Sequence, residues 1–322
     1  MGVQGLLKFV KSATRRIHLS DFAGAILAID ASSWLYKGMF AALDSDDPDA
    51  FLSHPLKMIA LLQTHGVRPL LVFDGGVLPI KAQNNRQRQE ERARYRNRAE
   101  QLRRAGKVTE AKKELRRAVG VSPLMARRLI DELIQLRVDF IVAPYEADAQ
   151  LAFLVDHGHA IAAVTEDSDL LGYRCARVVY KLAHDTAEAD YVEFDDLRDA
   201  ENERGKHLFD GEWAGEWEAW RAGLFTDMCV LAGTDYLPSM RGVGVGIAHA
   251  SMRDHRAFDV AVRHLAAKKR HASEGTEFFV ETAPIARLVF EHQHVYDPGT
   301  GAVVPLRPLS KEAEGLDRTS LT

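Results

Sequence analysis

Acidic side chains recur at the points where apolar runs of this sequence end. Carboxylates gathered in a small volume raise one another's pKa unless cations balance their charge. Oxygen ligands without clustered Cys or His favour a hard cation, which predicts a Mg²⁺ site in which Mn²⁺ can substitute. The acids are Asp30, Asp74, Glu146, Asp148, Asp167, Asp169 and Asp235.

A carboxylate cluster that holds two such ions about 3.5–4 Å apart is the usual apparatus for hydrolysing phosphodiester bonds. Lys81 and Arg88 are seven residues apart, which places them on one face of a helix. Lys81 also follows Asp74 closely enough to approach a metal-bound phosphate. Each acid taken singly has a simpler explanation as a helix cap or turn residue. Their repetition at strand ends favours the metal site.

Five apolar runs predict the sheet that would bring these acids together. They alternate with helical patterns, which is typical of an α/β fold with a central, mainly parallel twisted sheet and helices on both faces. Ligands of such folds bind at the carboxyl ends of the strands. The predicted strands are 25–30, 69–74, 139–143, 160–165 and 177–182, and the helical patterns between them include 55–65, 123–136 and 147–156.

The spacing of Glu146 and Asp148 adds a condition. Residues two apart on a helix face different ways, so Glu146 must lie in the loop or at the first helical position if both are to reach one ion.

The charge is unevenly distributed along the chain. The whole sequence has 42 Lys and Arg against 46 Asp and Glu, a formal net charge of −4, yet residues 81–117 hold 14 basic residues against 5 acids. A solvated charged helix is the simpler interpretation of such a run. The excess is too large for salt bridges along the helix to neutralise, so a polyanion contact is favoured.

Several further features limit the class of protein. Cys175 and Cys229 cannot make a disulfide framework, and no apolar run approaches the roughly 18 residues of a membrane helix. The first residues do not form a signal peptide, because the basic residues follow the apolar stretch. We therefore expect a cytosolic or nuclear protein without a membrane partner.

Three segments in the second half have recognisable patterns. Trp213, Trp217 and Trp220 have helical spacing, which predicts one helical face packed into the core. Glycines at 242–246, between a helix at 227–233 and another from 247, fit a DNA-backbone clamp and a plain helix-entry turn equally well. A Pro-Gly turn predicts a hairpin between 292–296 and 302–306.

Six stretches of the sequence together resemble the structure-specific 5′-nuclease family, which includes flap endonucleases and 5′→3′ exonucleases. The most C-terminal of the six resembles the exonuclease members of that family. The six stretches are MGVQGLLKF at the start, LVFDGGVLPIK at 71–81, VAPYEADAQLA at 142–152, TEDSDLL at 165–171, AGTDYLPSMRGVGVGIA at 232–248 and HQHVYDPGTGAVVPL at 292–306.

The resemblance implies a PIN-like nuclease fold. It implies one catalytic domain over 1–322, with nuclease regions at 1–99 and 138–230, a helical arch at 75–125 and a helix–two-turns–helix module at 226–260.

The resemblance also implies roles for single residues. The seven acids match the metal ligands, with Asp169 essential for catalysis, and Lys81 and Arg88 match a basic pair that contacts the scissile phosphate. Gly2 matches a glycine beside the active site, and Ala232 stands where exonuclease members have a serine. The implied DNA contacts are Gly2, Tyr36 as a base-stacking residue, Arg92, and the turn residues Ser239, Arg241, Gly242, Val243 and Gly244, where K⁺ binds in family members.

The function implied is that of a monomeric, nuclear, two-metal 5′→3′ exonuclease on double-stranded DNA with 5′-flap activity. Its expected substrates are duplexes with a 5′ end, nick, gap or flap, and its expected processes are DNA repair, mismatch repair and end resection, with repair proteins as partners. The alternatives are a flap endonuclease, an RNase H-like 5′ nuclease and a non-catalytic nucleic-acid scaffold. Retention of all seven acids disfavours the scaffold.

Overall fold

A computed structural model describes residues 2–43, 45–211, 213–268 and 275–309. Its strands are β1 (Thr14–His18), β2 (Ile26–Asp30), β3 (Arg68–Phe73), β4 (Asp139–Val142), β5 (Ala162–Thr165), β6 (Arg177–Tyr180), β7 (Glu188–Glu193), β8 (His294–Asp297) and β9 (Ala302–Pro305). The first seven form one sheet in the order β1-β7-β6-β5-β2-β3-β4, and β8 and β9 form an antiparallel hairpin. Strands β2 to β6 are parallel, whereas β1 and β7 are antiparallel to their neighbours.

The described residues form thirteen α-helices, and helices cover both faces of the sheet. They are α1 (Leu6–Phe9), α2 (Ala31–Ala42), α3 (Ser53–Thr64), α4 (Ala82–Arg104), α5 (Val108–Arg117), α6 (Pro123–Leu136), α7 (Ala147–Asp156), α8 (Asp169–Gly172), α9 (Glu216–Ala219), α10 (Phe225–Ala232), α11 (Val245–His255), α12 (Phe258–Ala267) and α13 (Thr276–His292). None of those in the described ranges is both long and apolar enough to cross a membrane.

The period-2 alternation of the strands divides the core into two layers. Leu27 and Ile29 of β2 belong to the core layer that contains residues of α2, α3 and α6, whereas Ala28 belongs to the layer on the other face, with residues of α7, α10 and α13. The central strands β2 and β5 therefore bury both faces, which explains their nearly continuous apolar sequences. The predicted mainly parallel α/β sheet is confirmed.

The predicted elements occur with small shifts at their ends. All five predicted strands are present, α6 and α7 have the predicted bounds, and the hairpin of β8 and β9 is confirmed. The tryptophan prediction is wrong in part. Trp217 and Trp220 are buried, but Trp213 precedes α9 and its ring packs under the Arg256 guanidinium at 4.1 Å, since the chain bends between residues 213 and 216.

The basic segment forms a helical hairpin that stands apart from the sheet. Helix α4 is 23 residues long, and α5 packs back along it after a turn at Gly106, whose φ is +77°. Arg94, Arg96 and Arg98 are exposed on α4. We call residues 82–117 the arch hairpin.

Candidate active site

The strand order brings the predicted acids to one edge of the sheet. Asp30 is the last residue of β2, and Asp74 directly follows β3. Glu146 precedes α7 after β4, and Asp167 and Asp169 follow β5. Strands β5, β2, β3 and β4 are consecutive in the sheet, so their carboxyl ends lie side by side.

The Glu146–Asp148 condition is met. Glu146 is the N-cap of α7 with extended backbone angles, φ −96° and ψ 142°, and Asp148 lies in the first helical turn. Glu146 is therefore outside the helix, as two converging carboxylates require.

Asp30 and Asp74 also accept hydrogen bonds from backbone N–H groups at the N-termini of helices. Asp30 caps α2 by accepting the Ser33 N–H at 3.2 Å, and its other oxygen accepts the Thr165 hydroxyl at 3.1 Å. Asp74 accepts the N–H of Ala147 at the start of α7, at 2.9 Å, and the Ser32 hydroxyl at 2.7 Å. The role of Asp30 and Asp74 as capping residues is therefore compatible with a role as metal ligands.

Burial and mutual repulsion shift the titration of these acids. Burial and the charge of Asp74 raise the pKa of Asp30 to about 7. Burial and the charge of Asp167 raise the pKa of Asp169 to about 8. The pKa of Asp148 is raised well above its ordinary value by burial and by Asp167 and Asp30. The positive charge near these three acids is too small to offset their burial and mutual repulsion.

The N-terminal segment lies against the same edge. A Cβ on Gly2 would lie 1.9 Å from Oδ1 of Asp167, and the φ of Gly2 is +85°, so only glycine fits here. The N–H of Val3 donates to Oδ1 of Asp169 at 3.0 Å. The predicted position of Gly2 beside the acids agrees with this geometry.

Two basic side chains meet the acids, Lys81 directly before the arch hairpin and Arg88 in its first helix. Arg88 donates to both oxygens of Asp235, at 2.6 and 3.2 Å. The Lys81 ammonium lies 2.5 Å from Oε1 of Glu146 and 3.7 Å from Oδ2 of Asp235. Burial alone would raise the pKa of Asp235, but the Arg88 hydrogen bond and the charge of Lys81 outweigh it and lower the pKa.

The donor set fits hard divalent cations by its chemistry. Every candidate ligand is a carboxylate, and burial raises the pKa of four of them. Within the described ranges, no group of three or more His, Cys, Asp or Glu side chains is already placed to hold a metal ion. In this structure Lys81 and Arg88 balance the charges of Glu146 and Asp235. A metal ion would therefore compete with these two basic residues for the two acids.

Two of the predicted DNA contacts lie on α2 and α4. Tyr36 is half-buried on α2, with its ring edge-on to Phe40 at 5.0 Å between centroids. The guanidinium of Arg92 on α4 lies beside Gly120, since a Cβ there would be 2.5 Å from its Nη1.

The glycine-rich turn enters α11. Ser239, Arg241, Gly242 and Gly244 are exposed and Val243 is buried. Gly242 has a φ of +72°, and Gly244 is the N-cap of α11. An open cavity of about 480 Å³ adjoins the turn, lined by Gln4, Ala232, Ser239 and residues 243–247.

The sequence did not reveal four polar residues that support the site. Ser32 donates a hydrogen bond to Asp74, and Asn84 donates one to the backbone oxygen of Asp235. Tyr236 donates its hydroxyl proton to Glu146, and Gln293 accepts the Glu146 N–H at 3.2 Å. Adjacency to Asp235 was a signal for Tyr236, whereas nothing local marks Gln293.

Two stretches of the chain match known domain families. Residues 1–95 match the XPG N-terminal domain, and residues 137–235 match the XPG I-region. These ranges contain all seven acids. The chain belongs to the XPG-type family of structure-specific 5′ nucleases.

Within that family, the chain is similar to exonuclease 1 from two organisms. It is 34% identical over 314 residues to exonuclease 1 of Danio rerio, which covers 96% of this chain and 37% of that protein. It is 35% identical over 320 residues to exonuclease 1 of Arabidopsis thaliana, which covers 96% of this chain and 40% of that protein. The chain thus spans less than half the length of either relative.

A solved structure shows the same fold. The catalytic core of Rad2 in complex with DNA substrate aligns with a TM-score of 0.60 at 19% identity, covering 89% of this chain and 80% of that one.

Proposed function

We propose that this chain is a two-metal-ion 5′→3′ exonuclease for double-stranded DNA that also cuts 5′ flaps. One observation carries the proposal. Acids from four adjacent strand ends, together with Asp235 from the loop after α10, meet Lys81 and Arg88 at one edge of the sheet. Lys81 lies 2.5 Å from Glu146, and Arg88 lies 2.6 Å from Asp235. Phosphodiester hydrolysis needs both kinds of group in one place.

The proposed roles follow from the charges. Asp30, Asp74, Glu146, Asp148, Asp167, Asp169 and Asp235 would hold two Mg²⁺ ions, with Mn²⁺ as a substitute. Bound ions would supply an ionised water at neutral pH and stabilise charge on the attacking and leaving oxygens. Lys81 and Arg88 leave Glu146 and Asp235 to donate hydrogen bonds to the scissile phosphate.

Other residues would place the DNA. The arch hairpin neutralises the backbone of the strand that is cut, with Arg92 among its contacts. The turn from Ser239 to Gly244 binds the duplex backbone at the N-terminus of α11, with K⁺ in the adjoining cavity. Tyr36 stacks on the terminal base, a contact worth about 1–3 kcal/mol.

We also infer a setting for this activity. The similarity to exonuclease 1 supports nuclear DNA repair, including mismatch repair and end resection. We propose that the catalytic domain acts as a monomer on 5′ ends, nicks, gaps and flaps, and that repair proteins recruit it.

The test compares nicked, 3′-overhang and 5′-flap DNA duplexes, each labelled at the 5′ end of the susceptible strand. With Mg²⁺ we expect labelled mononucleotides from the nicked and overhang duplexes and a released flap from the third, and with EDTA no product. Cleavage of flaps alone would favour a flap endonuclease. An RNA duplex included beside them would reveal an RNase, and binding without cleavage would favour a scaffold.

A further inference from the structure

Gln293 reaches the site from the far end of the chain. It lies between α13 and β8 and is 0% exposed. Its Oε1 accepts the backbone N–H of Glu146 at 3.2 Å, and its Nε2 lies 3.3 Å from the hydroxyl of Tyr173 and 3.4 Å from that of Tyr236. One buried amide thus connects the N-cap of α7 with two tyrosines behind the acids.

Chemistry fixes the direction of each hydrogen bond in this cluster. A backbone N–H can only donate, so the amide oxygen of Gln293 faces Glu146 and its NH₂ group donates to both tyrosine hydroxyls. The Tyr173 hydroxyl donates to Tyr236, and the Tyr236 hydroxyl donates to Oε2 of Glu146. With the amide reversed, an N–H would face the N–H of Glu146, and buried donors would lack acceptors.

This arrangement sets which oxygen of Glu146 is available. Oε2 is engaged by Tyr236, and Oε1 points to the Lys81 ammonium 2.5 Å away. The Tyr236 ring also lies under that ammonium, 4.7 Å from its centroid. Tyr236 therefore orients a candidate metal ligand and a candidate phosphate contact at once.

We propose that Gln293 is a positioning residue for the metal site, which acts through Tyr236 to hold Glu146 with one oxygen open to an ion. This inference rests on the proposed function, since it requires Glu146 to bind a metal. Loss of hydrogen-bond partners behind metal ligands typically lowers metal affinity or activity by about 10–100-fold. Gln293 would thereby connect the hairpin of β8 and β9 to the metal site.

Gln150 provides a matched control. It is also a glutamine with 0% exposure, and it exchanges two hydrogen bonds of 2.7 Å with the backbone of Tyr296 in β8. It joins α7 to the same strand, but its bonds do not reach Tyr173 or Tyr236. Gln150→Met and Gln293→Met therefore remove equivalent buried amides, only one of which faces Glu146.

The experiment measures Mn²⁺ binding to the full chain without DNA, by electron paramagnetic resonance, alongside thermal melting in EDTA. We expect Gln293→Met and Tyr236→Phe to weaken Mn²⁺ binding by about tenfold or more. Gln150→Met should lower the melting temperature comparably while its Mn²⁺ affinity stays within about twofold of wild type. Tyr236→Phe loses a single hydroxyl, so it tests the pathway even if Gln293→Met does not fold.

The outcomes separate the two claims. Wild-type protein that binds no Mn²⁺ would overturn the proposed function and this inference with it. Wild-type binding that Gln293→Met and Tyr236→Phe leave unchanged, or that Gln150→Met weakens equally, would overturn the role of Gln293 alone.

Discussion

At the scale of single residues, the site balances its negative charge in two ways. Glu146 and Asp235 are paired with Lys81 and Arg88, whereas Asp169 is left with a pKa raised to about 8 by burial and by neighbouring acids. Unbalanced like charge opposes folding until an ion is bound.

The variant Asp169→Asn separates charge from structure. It keeps an acceptor for the Val3 N–H and removes repulsion from Asp167 and Asp235, so we expect the melting temperature in EDTA to equal or exceed that of wild type. Mg²⁺-dependent cleavage should fall at least about 100-fold. DNA affinity in EDTA, measured by fluorescence anisotropy, serves as the control. Normal cleavage by this variant would show that Asp169 is not part of the site.

Replacement of Lys81 tests the basic pair. We expect Lys81→Met to lower the single-turnover cleavage rate by about 10²–10³-fold, because a charge aimed at the reacting phosphate is removed. Lys57→Met, at an exposed lysine on α3, should change the rate less than twofold. A loss confined to DNA affinity would count against a catalytic role for Lys81.

Sequence reasoning located the candidate ligands better than the residues that support them. Asp30 and Asp74 could be found because strand ends are visible as the ends of apolar runs. Gln293 could not, because it contacts Glu146 across 147 residues of chain, and neither residue's neighbours carry a pattern that indicates this hydrogen bond. Local sequence predicts which side chains an element carries on each face, whereas their contacts with distant residues depend on tertiary packing.

At the scale of elements, the loops after β3 and β4 approach unusually closely. The N–H of Gly75 donates to the carbonyl of Tyr145 at 2.6 Å, and that of Gly76 donates to Pro144 at 2.9 Å. These loops carry Asp74 and Glu146, so their spacing sets the spacing of two candidate ligands.

Gly75→Ala should force the two loops apart. Its Cβ would lie 1.9 Å from the carbonyl oxygen of Ala143, so we expect a loss of about 1–3 kcal/mol in unfolding free energy and weaker Mn²⁺ binding. Gly76→Ala is the matched control, since its Cβ would lie 3.2 Å from the nearest backbone oxygen. Urea denaturation compares the two. Equal stability of both variants would contradict the close-approach argument.

Sequence reasoning missed the two antiparallel strands of the main sheet, β1 and β7. β1 reads Thr-Arg-Arg-Ile-His and lies at an edge, where Arg15 and Arg16 pair with acids of β7. Such a half-exposed strand lacks the apolar run that marked β2 to β6. Its position depends on β7, so only the tertiary pairing reveals it.

At the scale of the whole molecule, charge is separated between the arch hairpin and the acidic edge of the sheet. We expect Arg94→Gln, Arg96→Gln and Arg98→Gln together to flatten the dependence of log DNA affinity on log salt, by up to about 0.9 for each phosphate that is no longer neutralised. Arg15→Gln with Arg16→Gln, on the antiparallel edge, should leave the slope unchanged. Anisotropy titrations at several KCl concentrations measure it. An unaltered slope in the arch variant would place the DNA elsewhere.

The arch hairpin is also an insertion within an ordinary crossover connection. β3 and β4 are parallel neighbours, and α6 alone would be enough to join them, yet α4 and α5 precede it in the same connection. Closure entropy grows slowly with loop length, by about 0.6 kcal/mol for each doubling of a flexible loop. Residues added at the exposed turn around Gly106 would therefore barely affect the sheet. The arch hairpin can therefore change in length while the carboxylates at the sheet edge stay fixed.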